Sequence, residues 1–140
     1  MAYSTKGSYI RPYYYPSDTI IAASTTATNH NSTSNTKVNE LELGSDINAD
    51  SQFRFVFDLK TGNAGVTAYA SIFINGSPVG STQSTASEAY VEKSQDITYS
   101  GGWKRGDKVQ VYSRTGNVAQ DVYTRNFYLK ATESNWEKLL

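Results

Sequence analysis

Large aromatic side chains are the residues of this sequence best suited to chemistry. Tyr69 and Tyr112 lie in runs with the composition of β-strands, and Trp103 lies in a glycine-rich turn. A flat ring at the surface can stack on a sugar, while a tyrosine hydroxyl remains in contact with water. These three rings are therefore candidate stacking platforms for a ligand. Packing within the sheets is the competing interpretation, and for Trp103 the competing role is to cap the end of the core.

A short acidic run is the candidate for metal binding. Asp46, Asn48 and Asp50 alternate with apolar residues, as at the start of a calcium-binding loop. The run lacks the glycine that should come next and the glutamate that should stand at the twelfth position. A polar turn explains this pattern better than bound calcium does, so no metal site is expected.

Catalytic groups do not converge in the sequence. His30, the single histidine, lies in a polar run and beside no Gly-x-Ser-x-Gly nucleophile motif. The acidic residues, which total 13, fall mostly on outward strand positions or in turns rather than as a pair suited to glycoside hydrolysis. No glycine-rich phosphate loop precedes a helix. The sequence thus predicts no catalytic residues and no cofactor, and an enzyme is not expected.

Charge, cysteine content and hydropathy exclude further classes of function. Lys plus Arg and Asp plus Glu number 13 each in 140 residues, so no net positive charge is available to hold phosphate backbones. Cysteine is absent, which excludes disulfides and thiolate metal sites. No run approaches the roughly 20 apolar residues of a membrane span, and the first residues lack the apolar core of a signal peptide. Nucleic-acid and membrane partners are therefore not expected.

Residues 1–17 differ from the rest of the chain and are predicted to form an extended arm. Its apolar residues are bracketed by glycine and proline, which oppose both a helix and a central strand. So many exposed rings would form a patch typical of an interface. We expect the arm to dock either on its own domain or on a neighbouring subunit, through Tyr9, Ile10, Tyr13, Tyr14 and Tyr15.

The elements that must position the candidate rings are β-strands. In residues 52–60, phenylalanines at every second position alternate with charged residues, which is the pattern of a strand with one buried face. The next run ends at Asn75-Gly76, a pair suited to the type I′ turn of a hairpin. These two runs predict the centre of an antiparallel β domain.

Similar patterns predict about eight strands between residues 18 and 131. Val38 is out of phase with its neighbours, which indicates a bulge or a second covered face. The last strand is predicted to place Tyr123, Phe127 and Leu129 on one side. Residues 132–140 are predicted to form a short helix or a tail. The fold class is all-β, an antiparallel, jelly-roll-like two-sheet β-sandwich, because a single open sheet would leave one aromatic face wet.

Several strand and turn motifs carry a resemblance to a known group of proteins. They are Phe55-Val56-Phe57-Asp58-Leu59-Lys60, Asn75-Gly76, Trp103-x-x-Gly106-Asp107-x-Val109-Gln110-Val111-Tyr112 and Arg125-Asn126-Phe127-Tyr128-Leu129. With these motifs, residues 18–131 resemble β-sandwich modules of tail, fibre and capsid-surface decoration proteins of bacterial and archaeal viruses. The resemblance implies the same fold and no catalytic residues.

The resemblance also implies a function and partners. We expect a non-enzymatic structural protein of a virion, made in the host cytoplasm, that decorates a capsid or forms part of a tail or fibre. It would assemble through its arm with itself, as a homo-oligomer, and with other virion proteins. The alternative is a carbohydrate- or receptor-binding β-sandwich module that stacks Tyr69, Trp103 or Tyr112 on a glycan of the host surface.

Overall fold

The structure of the protein is a computed structural model that describes residues 18–44, 52–99 and 103–132. In these residues the chain forms nine strands: β1 (Ile20–Ser24), β2 (Thr28–His30), β3 (Thr36–Glu42), β4 (Gln52–Thr61), β5 (Ala68–Ile74), β6 (Ser77–Thr85), β7 (Val91–Thr98), β8 (Lys108–Thr115) and β9 (Val122–Ala131). No helix occurs in the described ranges, so none there is long and apolar enough to cross a membrane.

The strands form two antiparallel sheets. The back sheet has the order β1-β9-β4-β7, with β2 also paired to β9, and the front sheet has the order β3-β8-β5-β6. If β2 is set aside, the remaining strands have the order of an eight-stranded jelly roll, in which consecutive strands lie in opposite sheets except for the β5–β6 hairpin. The predicted all-β, two-sheet sandwich is therefore confirmed. The predicted arm and the C-terminal helix or tail lie outside the described residues, apart from Thr132.

The core lies between the sheets and is centred on β4. Phe53, Phe55, Phe57 and Leu59 all point inward and are at most 2% exposed. Each such side chain contributes about 1.5–3 kcal/mol when it is removed from water. The alternate residues of β4 therefore point to the outer face of the back sheet, as the period-two pattern predicts.

A bulge in β9 changes which of its side chains reach the core. Asn126 has a φ of 57°, and the pairing of β4 with β9 shifts register between Val56 and Asp58. Phe127 and Leu129 are buried, but Tyr123 is partly exposed on the opposite side. The prediction that Tyr123 shares a side with Phe127 and Leu129 is wrong, because the extra residue reverses the alternation between them.

Two other local predictions are confirmed. The pairing of β3 with β8 shifts register between Lys37 and Asn39, which places a bulge at Val38. At the β5–β6 hairpin, Asn75 and Gly76 have φ angles of 51° and 84°. Positive φ at both central residues is the requirement of the type I′ turn.

Candidate functional site

The outer face of the front sheet gathers aromatic side chains from its two central strands. Tyr69 and Phe73 alternate with buried residues along β5, and Tyr112 and Arg114 do so along β8. Tyr69 lies opposite Arg114 in the pairing of the two strands. All four side chains are partly exposed. We call this set of residues, together with Lys37, Glu40 and Gln110, the front face.

The rings of the front face are held in fixed positions. Phe73 and Tyr112 stack with 4.0 Å between their centroids and 26° between their planes. The Arg114 guanidinium carbon lies 3.9 Å from the centroid of Tyr69. Stacked rings and a cation over a ring each attract by about 0.5–1.5 kcal/mol, which restricts the rotamers of these side chains. The face therefore presents pre-ordered rings.

Polar groups lie beside the rings, on β3 and β8. Gln110 Nε2 donates to Glu40 Oε2 at 2.7 Å, and its Oε1 accepts a hydrogen bond from Gly76 N at 3.0 Å. Lys37 Nζ lies 3.3 Å from the same Glu40 oxygen. The hydrogen bond from Gln110, followed by that from Lys37, holds the pKa of Glu40 below its ordinary value. Glu40 is therefore a fixed carboxylate that can accept hydrogen bonds from a ligand.

Trp103 is not part of this face. Its side chain is 1% exposed and packs in the core, with ring centroids 5.1 Å from Phe53, 5.9 Å from Phe55 and 5.0 Å from Tyr99. The hypothesis that Trp103 stacks on a ligand is therefore wrong, since its ring is buried and no ring face is open to solvent. Its position agrees with the alternative role in the core.

The outer face of the back sheet is built mainly from ion pairs. Arg54 donates from Nε and Nη2 to the two carboxylate oxygens of Asp96, at 2.8 and 3.1 Å, and from Nη1 to Asp18 at 2.8 Å. These hydrogen bonds, first to Asp96 and then to Asp18, raise the pKa of Arg54 above its ordinary value. Arg125 Nε lies 3.1 Å from Asp58. The charges of Arg54 and Arg125 are therefore neutralised by carboxylates.

The same face also carries cations over tyrosine rings. Lys60 Nζ lies 4.4 Å from the centroid of Tyr123 and 5.2 Å from that of Tyr90. Arg125 lies 3.9 Å from the Tyr90 centroid. We call the set of Arg54, Lys60, Tyr90, Tyr123 and Arg125, with the carboxylates that they contact, the back face.

His30 links the two sheets at one end of the sandwich. Its Nδ1 accepts a hydrogen bond from Ser32 N at 3.0 Å, so the proton of the neutral ring lies on Nε2, which is 2.8 Å from Ser113 Oγ. Burial lowers the pKa of His30, and this effect outweighs the nearby charge of Asp121 and the contact with Ser113. Both ring nitrogens of His30 therefore take part in contacts within the fold.

Several predicted site residues cannot be placed. Tyr9, Ile10, Tyr13, Tyr14 and Tyr15 of the arm lie outside the described residues, as do Asp46, Asn48 and Asp50 of the acidic run. Within ranges 18–44, 52–99 and 103–132, no group of three or more His, Asp or Glu side chains could hold a metal ion.

Sequence reasoning identified Tyr69 and Tyr112 but missed their neighbours. Phe73 lies at the same parity as Tyr69, and Gln110 and Arg114 lie at the same parity as Tyr112. This period-two spacing was a usable signal. The position of Glu40 depends on the register between β3 and β8, where it lies opposite Gln110. The out-of-phase Val38 indicates the bulge that shifts this register, but no local pattern reveals that β3 pairs with β8.

Comparison with known proteins finds likeness in structure. No protein-family model and no curated protein sequence matches the chain. The C-terminal domain of EclA, described as a sugar-binding protein, is similar with a TM-score of 0.53 and 14% identity, over 80% of this chain and 82% of that one. At this identity the likeness shows a shared β-sandwich fold.

Two further solved structures are similar at lower scores. The CBM22-1 xylan-binding domain of Paenibacillus barcinonensis Xyn10C has a TM-score of 0.49 and 8% identity, over 85% of this chain and 98% of that one. The CBM36-1 domain of a multidomain xylanase from the hindgut metagenome of Trinervitermes trinervoides has a TM-score of 0.45 and 14% identity, over 74% and 96%.

Proposed function

We propose that the protein is a carbohydrate-binding domain and that the front face is its ligand platform. The observation that carries this proposal is the row of partly exposed rings, Tyr69, Phe73 and Tyr112, on the outer side of one sheet. The hydrophobic core lies on the other side of that sheet, so these rings are not part of the core. Clustered aromatic surface beyond the needs of the core is typical of an interaction site.

The chemistry of the face suits a sugar. The C–H groups on one side of a pyranose pack against aromatic rings, and its hydroxyl groups both donate and accept hydrogen bonds. Glu40 supplies a charged acceptor, and Lys37 and Arg114 supply donors. Because Gln110 and Lys37 already orient Glu40, a sugar would meet a polar group that loses little further freedom on binding.

The fold comparison supports the same proposal. The EclA domain, which shares the β-sandwich fold at a TM-score of 0.53, is described as sugar-binding. Fold alone does not determine function, since one fold can carry many activities. The comparison therefore adds weight only together with the front-face rings.

The virion role implied by the sequence resemblance remains a prediction. The residues expected to mediate assembly lie in 1–17, outside the described part of the chain. The expectations of a virion location, of homo-oligomers and of no enzymatic activity likewise remain predictions. A glycan-binding domain is compatible with attachment of a particle to a host surface, so the two roles do not exclude each other.

Binding to soluble polysaccharides tests the proposal. Affinity electrophoresis against xylan, β-glucan and polygalacturonate, followed by calorimetry, should identify at least one ligand. Replacing both Phe73 and Tyr112 by alanine should weaken its binding about tenfold or more, because buried aromatic anchors dominate interfaces. Tyr128→Ala, which removes a partly exposed ring from the back sheet, is the matched control and should leave binding unchanged.

Two results would contradict the proposal. One is that none of the polysaccharides binds to the intact protein. The other is that the Phe73/Tyr112 double variant and Tyr128→Ala bind equally well. Urea unfolding of each variant establishes that the compared proteins are folded.

A further inference from the structure

Two segments of the chain repeat the same short motif. Residues 60–63 read Lys-Thr-Gly-Asn and residues 114–117 read Arg-Thr-Gly-Asn, and in both cases a tyrosine follows nine positions after the cation, at Tyr69 and Tyr123. Each motif begins where a strand leaves one sheet and precedes the strand that enters the other. We call residues 60–69 the first arch and residues 114–123 the second arch.

The two arches share their internal hydrogen bonds. The buried threonine hydroxyl of each donates to the carbonyl of the asparagine two residues later, at 3.3 Å in the first arch and 3.1 Å in the second. The asparagine Oδ1 accepts a hydrogen bond from the backbone N two residues further on, at 2.8 and 2.9 Å. The repeated sequence therefore folds into a repeated turn.

The two arches are joined by a reciprocal pair of backbone hydrogen bonds. Gly62 N donates to Asp121 O at 3.0 Å, and Gly116 N donates to Thr67 O at 2.9 Å. In the strand pairing that follows, Lys60 lies opposite Tyr123 and Arg114 lies opposite Tyr69. The cation of each arch is thus placed over the tyrosine of the other.

This exchange puts one cation–tyrosine pair on each outer face. Lys60 Nζ lies 4.4 Å from the Tyr123 centroid on the back face, and Arg114 lies 3.9 Å from the Tyr69 centroid on the front face. We call them the back pair and the front pair. All four side chains are partly exposed, so a ligand can reach both pairs.

The charge of the two cations is not neutralised. Among the described residues, Arg54, Arg125 and Lys37 each have a carboxylate within 4.0 Å, whereas Lys60 and Arg114 have none. A tyrosine ring orients a cation but leaves most of its charge and its N–H donors available. An anionic group bonded to these donors would complete the pairing, while the adjacent ring contacts the sugar that carries the group.

We propose that each of the two pairs is a binding site for an anionic sugar, so that the domain binds two acidic glycan chains, one on each face. This proposal rests on the proposed carbohydrate-binding function and extends it to the class of ligand and to a second site. The sheets of a sandwich lie about 10 Å apart, and the two pairs point away from each other. Two separate chains would therefore be held, and a long acidic polysaccharide would be cross-linked.

Calorimetry with short oligosaccharides tests the ligand class and the number of sites. The three probes are an oligogalacturonate, a sulfated galactan oligosaccharide and a neutral galactan oligosaccharide of equal length. At least one acidic probe should bind with two molecules per chain, about tenfold more tightly than the neutral probe, and more weakly as salt is added. The two acidic probes distinguish a carboxylate from a sulfate as the source of the charge.

Single substitutions assign each site. Arg114→Gln and Lys60→Gln should each reduce the number of bound acidic molecules from two to one, and the double variant should lose the preference for acidic over neutral sugar. Arg114→Lys keeps the charge and should still bind two. Lys130→Gln is the matched control, because Lys130 lies 5.6 Å from the Tyr128 ring but outside both arches, and it should bind as the unchanged protein does.

Other outcomes overturn the inference. Equal affinity for acidic and neutral probes would show that the ligand need not be anionic. If only one molecule binds per chain and Lys60→Gln has no effect on binding, the proposed site on the back face would be wrong. In both cases binding that still depends on Phe73 and Tyr112 leaves the proposed function intact. If no glycan binds at all, both proposals fail together.

Discussion

On the back face, two arginines lie against carboxylates, whereas on the front face the arginine lies against a ring. Arg54 and Arg125 contact Asp96 and Asp58 through hydrogen bonds of 2.8 and 3.1 Å. On the front face, Arg114 lies 3.9 Å from the Tyr69 centroid. Arg125 also lies 3.9 Å from the Tyr90 centroid, so the difference between the faces is that the back-face arginines have carboxylate partners in addition, whereas Arg114 has none among the described residues.

This difference separates two uses of a sheet surface. Ion pairs keep the back face hydrated and neutralise the charges of Arg54 and Arg125, although not that of Lys60. The front face instead exposes stacked rings, such as Phe73 and Tyr112, whose apolar faces gain little from contact with water. A face that keeps apolar surface exposed gains most when a ligand covers it. We therefore expect the front pair to bind a sugar more tightly than the back pair does.

The largest expected effect comes from the bulge that sets the back face. At Asn126 the backbone has a φ of 57°, and its side-chain amide donates to Asp58 Oδ2 at 3.0 Å. Asn126→Val places a β-branched residue in the left-handed region and removes this hydrogen bond. We expect the free energy of unfolding to fall by about 2–4 kcal/mol, measured by urea denaturation.

A glycine at the same position separates the two causes. Asn126→Gly accepts the positive φ and loses only the hydrogen bond to Asp58, so it should cost about 1 kcal/mol. Equal losses for valine and glycine would show that backbone strain is not the reason. Front-face binding of glycan should be retained in Asn126→Gly, because that face lies on the other sheet.

The same bulge shows where prediction from the sequence ends. Period-two patterns predicted the strands, the two-sheet sandwich and the inward face of β4, because burial of one strand face imposes that period. They could not reveal the reversal at Asn126 that turns Tyr123 outward, since a bulge depends on pairing with β4. Tyr69 and Tyr112 of the front face were predicted as candidate stacking residues because they lie in runs with the composition of β-strands.

Other features of the two faces depend on contacts between distant segments. The burial of Trp103 requires Phe53 and Phe55 beside it in space. The exchange of cations between the arches requires Lys60 to meet Tyr123, which only the jelly-roll pairing brings about. The repeated Thr-Gly-Asn sequence is a visible signal of this exchange, but its meaning follows from the topology.

A smaller effect is expected from His30, which joins the two sheets beneath both faces. Its pKa is lowered in the folded protein, mainly by burial. The unfolded chain therefore takes up a proton first, and the contribution of neutral His30 to stability is present above pH 6.5 and is lost as the pH falls toward the lowered folded pKa. Chemical denaturation between pH 8 and pH 5 should show this decline.

His30→Gln provides the control for that pH dependence. Glutamine does not titrate, so the part of the decline that is due to His30 should disappear, while the lost contact with Ser113 costs about 1 kcal/mol at pH 8. A folded protein whose stability increases from pH 8 to pH 5.5, or a decline that is the same in His30→Gln, would contradict the assignment.

The smallest effect is expected at Arg54, where the contrast between the faces is tested most directly. Arg54→Met removes three charge-assisted hydrogen bonds to Asp18 and Asp96, whose side chains are 57% and 37% exposed. Exposed pairs of this kind contribute only about 0.2–1 kcal/mol, because water solvates the separated charges nearly as well. The free energy of unfolding should therefore fall by less than about 1 kcal/mol. In 1 M salt this difference between Arg54→Met and the unchanged protein should be smaller, because salt screens the ion pairs of the unchanged protein.

Binding of glycan to the front face should not change in Arg54→Met. If Arg54→Met weakened binding of glycan to the front face as much as the loss of Phe73 and Tyr112 does, Arg54 would belong to that ligand site, and the assignment of the site to the rings of the front face would be wrong.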